Sequence, residues 1–161
     1  MASSPETQIA PQREEAHGEL QLAGISGQFT SPQGIPELWQ RFASQHIGRI
    51  HGQVGHKTYG VIFGSDAKTG SFEYMAAVEV TEVDNVSASL RKLVIPPQTY
   101  KVYLHEGHVS KFSDTIMKIS RSGAIKADNP ADQPAMIEYY GESFDPKTGF
   151  GDMQIWVPVA R

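Results

Sequence analysis

Hydrophobic and polar residues alternate over several short stretches of this chain and recur every three or four residues in two others. Alternation places successive side chains on opposite faces and is typical of strands, whereas spacing by three and four is typical of a helix with one buried face. Together with short apolar runs, this pattern predicts strands at 20–26, 74–80, 100–105, 135–140 and 153–159.

The helical spacing occurs once in each half of the chain. It predicts a first helix over 32–44, with Ser31 as N-cap and Pro32 in the first turn. Its apolar face consists of Ile35, Leu38, Trp39 and Phe42. A second helix carries the stripe Val109, Phe112, Ile116 and Ile119, and Gly123 is its predicted end.

A repeat joins these elements. The turn sequence Asp-x-Lys-Thr-Gly occurs at 66–70 and again 79 residues later at 145–149, each time before an apolar strand. Asp and Gly favour tight turns, so each copy predicts a hairpin. The order strand-helix-strand-strand therefore occurs twice, in halves of about 19–82 and 98–160. Neither half can bury its apolar face alone. We expect an α+β fold with an antiparallel sheet, two main helices, a pseudo-two-fold axis and a ligand cleft between the halves.

The length of 161 residues and the apolar content of 39% favour one domain, which we place at 19–161. Residues 1–18 are polar and predict a flexible tail, too short for a helix-turn-helix domain before the first strand. The Gly- and Pro-rich loop 121–134 is expected to form a rim or lid of the cleft.

The charge pattern excludes several classes of function. The net charge is −4, and the 14 Lys and Arg residues form no basic run, so we expect no direct binding of nucleic acid. The chain has no cysteine, which excludes disulfides and thiolate chemistry. Residues 1–18 lack the apolar run of a signal peptide, and no apolar stretch approaches the length of a membrane span, so we expect neither. A cytoplasmic protein fits these features best.

Glu138 is the most informative residue. Strand alternation places it on one face with Met136 and Tyr140, between two large apolar side chains. A buried carboxylate is costly unless a cation or hydrogen-bond donor meets it, so it is kept for a fixed partner or for a ligand. The alternative is a solvated carboxylate or one paired with Lys or Arg.

Further candidates for a ligand site are aromatic, and the first is Tyr140, whose ring accompanies Glu138 on the same strand face. Trp39 and Phe112 lie on the two helices and are expected to wall the cleft. Trp156 alternates with the regular apolar face of its strand, Met153, Ile155 and Val157, and is therefore also assigned to the cleft. Tyr74 and Tyr103 are weaker candidates, for which packing in the core is the alternative.

Metal and cofactor motifs are not found. His46, His51 and His56 are five residues apart, which fits neither a helical zinc pair nor one strand face. No Gly-rich phosphate loop and no Gly-x-Ser-x-Gly motif occurs. We expect no metal, no cofactor and no catalytic residue of these types.

Several short motifs, in order, resemble the gyrase-inhibitor-like (GyrI-like) effector-binding domain of AraC- and MerR-type multidrug regulators. They are Leu38-Trp39, Tyr59-Gly60-Val61, Ile95-Pro96-Pro97, His105-Glu106-Gly107, Ile137-Glu138-Tyr139-Tyr140 and Ile155-Trp156-Val157-Pro158-Val159. The resemblance runs from about Glu19 to Val159. It implies a stand-alone domain that binds lipophilic cationic or aromatic molecules in an internal pocket, where Glu138 matches the family's buried glutamate.

Two alternatives stay open. Some stand-alone members of the family hydrolyse reactive cyclopropane-bearing natural products. Gln154 replaces a glutamate that many members carry before Ile-Trp-x-Pro, and an amide cannot act as a general base, so the residues favour binding over catalysis. Gyrase-inhibiting members bind a protein, which leaves a protein partner, a homodimer or a separate DNA-binding regulator as further interpretations.

Overall fold

Eight strands and two α-helices form the fold in this computed structural model, which describes residues 10–31, 33–125 and 133–159. The strands are β1 Arg13–His17, β2 Leu20–Phe29, β3 Gln53–Asp66, β4 Ser71–Val80, β5 Arg91–Ile95, β6 Gln98–His105, β7 Pro134–Tyr140 and β8 Met153–Pro158. The helices are α1 Ile35–Gln45 and α2 Phe112–Arg121, with short 3₁₀ helices at Val83–Asn85 and Val109–Lys111.

The predicted repeat is confirmed as β2-α1-β3-β4 and β6-α2-β7-β8. The two Asp-x-Lys-Thr-Gly turns have the same hydrogen bonds. The carboxylate of Asp66 accepts from the Lys68 N–H at 2.8 Å, and that of Asp145 accepts from the Lys147 N–H at 2.8 Å. The aspartate carbonyl in each turn then accepts from the glycine N–H four residues on, again at 2.8 Å. The same short motif therefore folds the same way in both halves.

The start of α1 differs from the prediction. The helix begins at Ile35, and the preceding Gly34 has φ +91°, a left-handed conformation that a right-handed helix cannot include. Ser31 is therefore not the N-cap; its hydroxyl accepts a local bond from the Gln33 N–H at 3.4 Å. Pro36 supplies the first-turn proline instead. Pro32 lies outside the described residues.

Two strands lie where the sequence predicted none. Arg13–His17, within the predicted tail, pairs with β6 as an edge strand, and Arg91–Ile95 pairs with β2 at the other edge. Residues 1–9 of that tail and residues 126–132 of the predicted rim lie outside the described residues. The second helix ends as predicted, with Gly123 at φ +82°.

All eight strands form one antiparallel sheet in the order β1-β6-β8-β7-β3-β4-β2-β5. Each repeat contributes its strands in the spatial order first, third, second, and the two second strands, β3 and β7, pair at the centre. The predicted pseudo-two-fold axis therefore passes between these strands, where Gly60 pairs with Glu138. The α+β fold class is confirmed.

The sheet is strongly curled. β1 and β2 have five strands between them in the sheet, yet only Gly18 and Glu19 separate them along the chain. Three consecutive Cα–Cα steps span at most about 11 Å. The two ends of the sheet must therefore approach each other, and the face without helices becomes an interior.

The two faces of the sheet hold different parts of the core. The inner face of the curl buries residues of seven strands, β2 to β8, among them Tyr59, Met75, Tyr100, Ile137 and Trp156. The outer face is covered by α1 over the first repeat and by α2 over the second. Within the described residues, no helix is long and apolar enough to cross a membrane.

Candidate functional site

Glu138 lies at the centre of the outer face, next to the axis that relates the two repeats. It pairs with Gly60 of β3 on one side and with Ile155 of β8 on the other. Ile155 packs in the core under α2, and directly paired residues of adjacent strands share a face. The glutamate therefore points toward the helices, and only 8% of it is exposed.

Its carboxylate is held by hydroxyl groups. The Tyr74 hydroxyl donates to Glu138 Oε1 at 2.6 Å, and the Tyr140 hydroxyl donates to the same atom at 3.3 Å. Trp39 Nε1 donates in turn to the Tyr74 hydroxyl at 2.8 Å. None of the ion pairs formed between described residues includes Glu138.

Burial decides the protonation of this cluster. Desolvation raises the pKa of Glu138 from 4.5 to about 7, although the hydrogen bonds from Tyr74 and Tyr140 oppose the change. The pKa values of Tyr74 and Tyr140 are raised well above 10, mainly by burial and to a lesser extent by the nearby Glu138 carboxylate. Both hydroxyls therefore stay protonated as donors, while the carboxyl group exchanges its proton near neutral pH.

Aromatic rings from both repeats surround the carboxylate. The Tyr140 ring makes edge contacts with Trp39 of α1 at 5.6 Å and with Phe112 of α2 at 5.5 Å between centroids. Phe144 lies 5.1 Å from the same ring. We call Trp39, Tyr74, Phe112, Glu138 and Tyr140 the Glu138 cluster. Trp39 and Tyr140 are half-buried, so the cluster reaches the surface between the two helices.

The family model of integron-associated effector binding proteins matches residues 17–159. The chain belongs to this family. The match covers both repeats, the edge strand β5 and the last residue of β1, so it includes every residue of the Glu138 cluster. The resemblance to GyrI-like effector-binding domains is thereby confirmed.

One curated regulator is similar in sequence to most of this chain. The transcriptional regulator BrlR of Pseudomonas aeruginosa is 27% identical over 130 residues, which cover 78% of this chain and 46% of the regulator. The chain thus spans about half the length of this curated relative.

Two solved structures show the same fold. SAV2435, solved bound to tetraphenylphosphonium, has a TM-score of 0.63 at 20% identity and covers 92% of this chain, with 93% of its own chain matched. An integron cassette protein from the mobile metagenome of Vibrio cholerae has a TM-score of 0.64 at 14% identity, with 92% and 95% covered.

Five of the seven residues that the sequence proposed come together in the Glu138 cluster. Tyr103 does not join it: this residue is buried in the core under α2, which was the alternative considered for it. Trp156 does not join it either. It pairs with Ile137, which points away from Glu138, so it belongs to the inner face of the sheet. The expectation that Trp156 and Glu138 share one cleft was wrong, because their side chains lie on opposite faces of the sheet.

Gln154 also belongs to the inner face. It pairs with Tyr139, and its amide connects Asp152 to the indole of Trp156 through hydrogen bonds of 3.0 and 2.9 Å. A glutamate at this position would thus lie across the sheet from Glu138. The cavity of about 410 Å³ at the mouth of the curled sheet is also on this side, lined by Trp156 and Gln154, and not above Glu138.

Sequence reasoning missed two residues that shape the cluster. Gly60 faces Glu138 across β3 and β7, and a Cβ here would overlap the Tyr74 hydroxyl and lie 2.6 Å from Glu138 Oε1. Ile62 packs against the cores under both helices. Gly60 belongs to the motif Tyr59-Gly60-Val61, but the sequence does not show which side chains lie beside it. Only the pairing of β3 with β7 shows that the missing side chain leaves room for Tyr74 and Glu138.

Proposed function

We propose that this protein binds bulky lipophilic cations at the Glu138 cluster, with Glu138 as the counter-charge. The observation that carries this proposal is a buried carboxylate that has two hydroxyl donors and no cationic partner among the described residues. A basic side chain beside Glu138 would neutralise its carboxylate, but none of the described residues forms such an ion pair. The negative charge of Glu138 is therefore available to a ligand.

The chemistry of the cluster suits a delocalised cation. Such an ion is weakly hydrated, so it loses little on leaving water, and it gains strongly from a carboxylate in a medium of low dielectric. Trp39 and the tyrosines add ring faces for cation–π contacts. A small ammonium or metal ion is strongly hydrated, so it would lose more on leaving water. The oxygen atoms of the Glu138 cluster would replace only part of its hydration shell.

The family and its structural neighbour support the same class of ligand. The family consists of effector binding proteins, and SAV2435 was solved with tetraphenylphosphonium, a bulky aromatic cation. We infer that the ligand enters between α1 and α2, where Trp39 and Tyr140 are half-buried. The Trp39 ring would leave Tyr140, and the Tyr74 hydroxyl would keep its bond to Glu138.

The test compares two ions of the same shape and opposite charge. Tetraphenylphosphonium and tetraphenylborate are titrated by calorimetry against the native protein, Glu138→Gln and Glu37→Gln. Glu37 is an exposed residue of the first turn of α1, so its substitution makes the same change in net charge outside the cluster.

We expect the native protein and Glu37→Gln to prefer the phosphonium ion strongly. Glu138→Gln should weaken phosphonium binding on the order of 10- to 100-fold, since charge-assisted contacts contribute about 1.5–3 kcal/mol. Binding should also weaken as the pH falls from 8 to 6, because the carboxyl group protonates near pH 7. Equal affinities of native protein and Glu138→Gln would remove Glu138 from the site.

A further inference from the structure

The mouth of the curled sheet holds a cavity of about 410 Å³ that the Glu138 cluster does not use. Six of its lining residues carry the argument: His17, Lys57, Tyr59, Glu79, Tyr139 and Trp156. We call this space the mouth cavity. Its walls come from β1 on one side and from β3, β4, β7 and β8 on the other.

Aromatic rings form one wall of the mouth cavity. Trp156 stacks between the His17 ring, at 4.3 Å, and the Tyr139 ring, at 4.9 Å, both with interplanar angles of 18°. Tyr59 makes edge contacts with Tyr139 and Trp156 at 5.6 and 6.0 Å. Trp156 and Tyr59 are buried, so a flat ring of a ligand would meet the partly exposed ring of Tyr139 here.

Charges of both signs line the same space, and most of them form ion pairs, whereas Glu19 accepts a hydrogen bond from the Gln21 amide at 3.2 Å. Lys57 Nζ lies 3.5 Å from Glu79 Oε1. Across the cavity, the Glu15 carboxylate meets Arg13 at 3.0 Å and His17 at 2.8 Å. Lys57 and Glu79 have side chains only 28% and 25% exposed, so their charges are partly screened from water.

The pairing of Lys57 with Glu79 selects the charge of a ligand that binds beside them. A cation that takes Glu79 would leave Lys57 without its partner, and an anion that takes Lys57 would leave Glu79 unpaired. An unpaired, half-buried charge is costly. A dipolar ligand with an ammonium and a carboxylate group can insert between the two side chains and leave both paired.

We propose that the mouth cavity is a second small-molecule site that takes aromatic zwitterions, with the ammonium group on Glu79, the carboxylate on Lys57 and the ring against Tyr139. This site is separate from the Glu138 cluster, since the sheet lies between them, and it does not depend on the function proposed there. Its ligand class is also different: dipolar and polar instead of lipophilic and cationic.

Three molecules that share one ring test the proposal. L-phenylalanine carries both charged groups, phenethylamine lacks the carboxylate, and 3-phenylpropanoate lacks the ammonium group. Each is titrated by calorimetry and followed in ¹H–¹⁵N spectra. The Trp156 indole N–H, which donates to Gln154 in the mouth cavity, reports this site, and the Trp39 indole N–H reports the Glu138 cluster.

We expect L-phenylalanine to shift the Trp156 resonance and not that of Trp39. It should bind on the order of tenfold more tightly than either analogue, because each analogue leaves one side chain unpaired. Lys57→Met and Glu79→Gln should each remove this preference. Lys68→Met and Glu82→Gln, which change exposed residues of the same types, should keep it.

Three outcomes would overturn the proposal. They are an unshifted Trp156 resonance at millimolar L-phenylalanine, an analogue that binds as tightly as the zwitterion, and loss of L-phenylalanine binding in Glu138→Gln or in the presence of saturating tetraphenylphosphonium. The spectra of the free variants show whether each is folded, so a loss of affinity is read only from folded protein.

Discussion

At the scale of single residues, Glu138 links stability to pH. Its pKa is about 7 in the folded protein against an ordinary value of 4.5, so the native state binds this proton more tightly than the unfolded chain. The contribution of this group to the free energy of unfolding is therefore present below about pH 4.5, falls as the pH rises to about 7, and is level above that.

Glu138→Gln should remove this dependence. Glutamine keeps an Oε1 acceptor for Tyr74 and Tyr140 but carries no charge. We expect the variant to gain about 2–3 kcal/mol relative to the native protein when the pH is raised from 5 to 8. Urea unfolding at the two pH values, with Glu37→Gln as control, measures the difference. If the variant and the native protein differed in free energy of unfolding by the same amount at pH 5 and at pH 8, the raised pKa of Glu138 would be contradicted.

Gly60 leads to a second prediction at this scale. A methyl group at this position would overlap the Tyr74 hydroxyl and crowd Glu138, so Gly60→Ala should destabilise the fold by about 1–3 kcal/mol. It should also weaken cation binding, since the bond from Tyr74 to Glu138 must shift. Gly18→Ala is the matched control, because nothing lies within 4 Å of its Cβ position. Thermal unfolding of both variants shows whether the loss is confined to Gly60→Ala.

At the scale of elements, the two repeated turns differ in what surrounds their glycines. Gly70 and Gly149 have φ +74° and +77°, so alanine strains both turns by about 1 kcal/mol. At Gly149, but not at Gly70, a Cβ would also overlap the His108 imidazole. That ring accepts a hydrogen bond from the Ser110 N–H at the start of the 3₁₀ helix before α2.

Gly149→Ala should therefore lower the free energy of unfolding more than Gly70→Ala does. The expected excess is about 1 kcal/mol, the net contribution of one hydrogen bond. Chemical unfolding of the two single variants gives both values. Equal losses would mean that His108 moves aside without disturbing the start of the second helix.

The same elements show what the sequence could predict. The turns, both helical stripes and the strand alternation around Glu138 are local patterns, so the repeat and the face of Glu138 followed from them. That Glu138 and Trp156 lie on opposite faces of the sheet did not follow. Alternation separates Trp156 from Ile155, but only the pairing of Ile155 with Glu138 shows that Trp156 lies on the other side.

Strand β1 was missed for a different reason. Its sequence, Arg-Glu-Glu-Ala-His, has no apolar alternation, and it pairs as an edge strand through its backbone with β6. Pairing of this kind leaves no signal in side-chain hydrophobicity. The mouth cavity could not be predicted either, because it depends on the approach of β1 to β2 through Gly18 and Glu19.

At the scale of the whole molecule, one sheet separates two chemically different spaces. The residues of β7 alternate between them: Glu138 and Tyr140 face the helices, whereas Tyr139 faces the mouth cavity. The two tryptophans divide in the same way, with Trp39 hydrogen-bonded to Tyr74 in the Glu138 cluster and Trp156 stacked on Tyr139. Each tryptophan therefore reports on one side of the sheet.

Tetraphenylphosphonium should change the fluorescence of only one of them. In Trp156→Phe, the remaining Trp39 must leave Tyr140 and Tyr74 to admit the ion, so we expect its emission to change in a saturable way. In Trp39→Phe, the remaining Trp156 is shielded by the sheet, and its emission should stay constant at ligand concentrations that saturate the first variant. Calorimetry on both variants confirms that the ion still binds. A response from Trp156 alone would place the cation in the mouth cavity and reverse the assignment of the two faces.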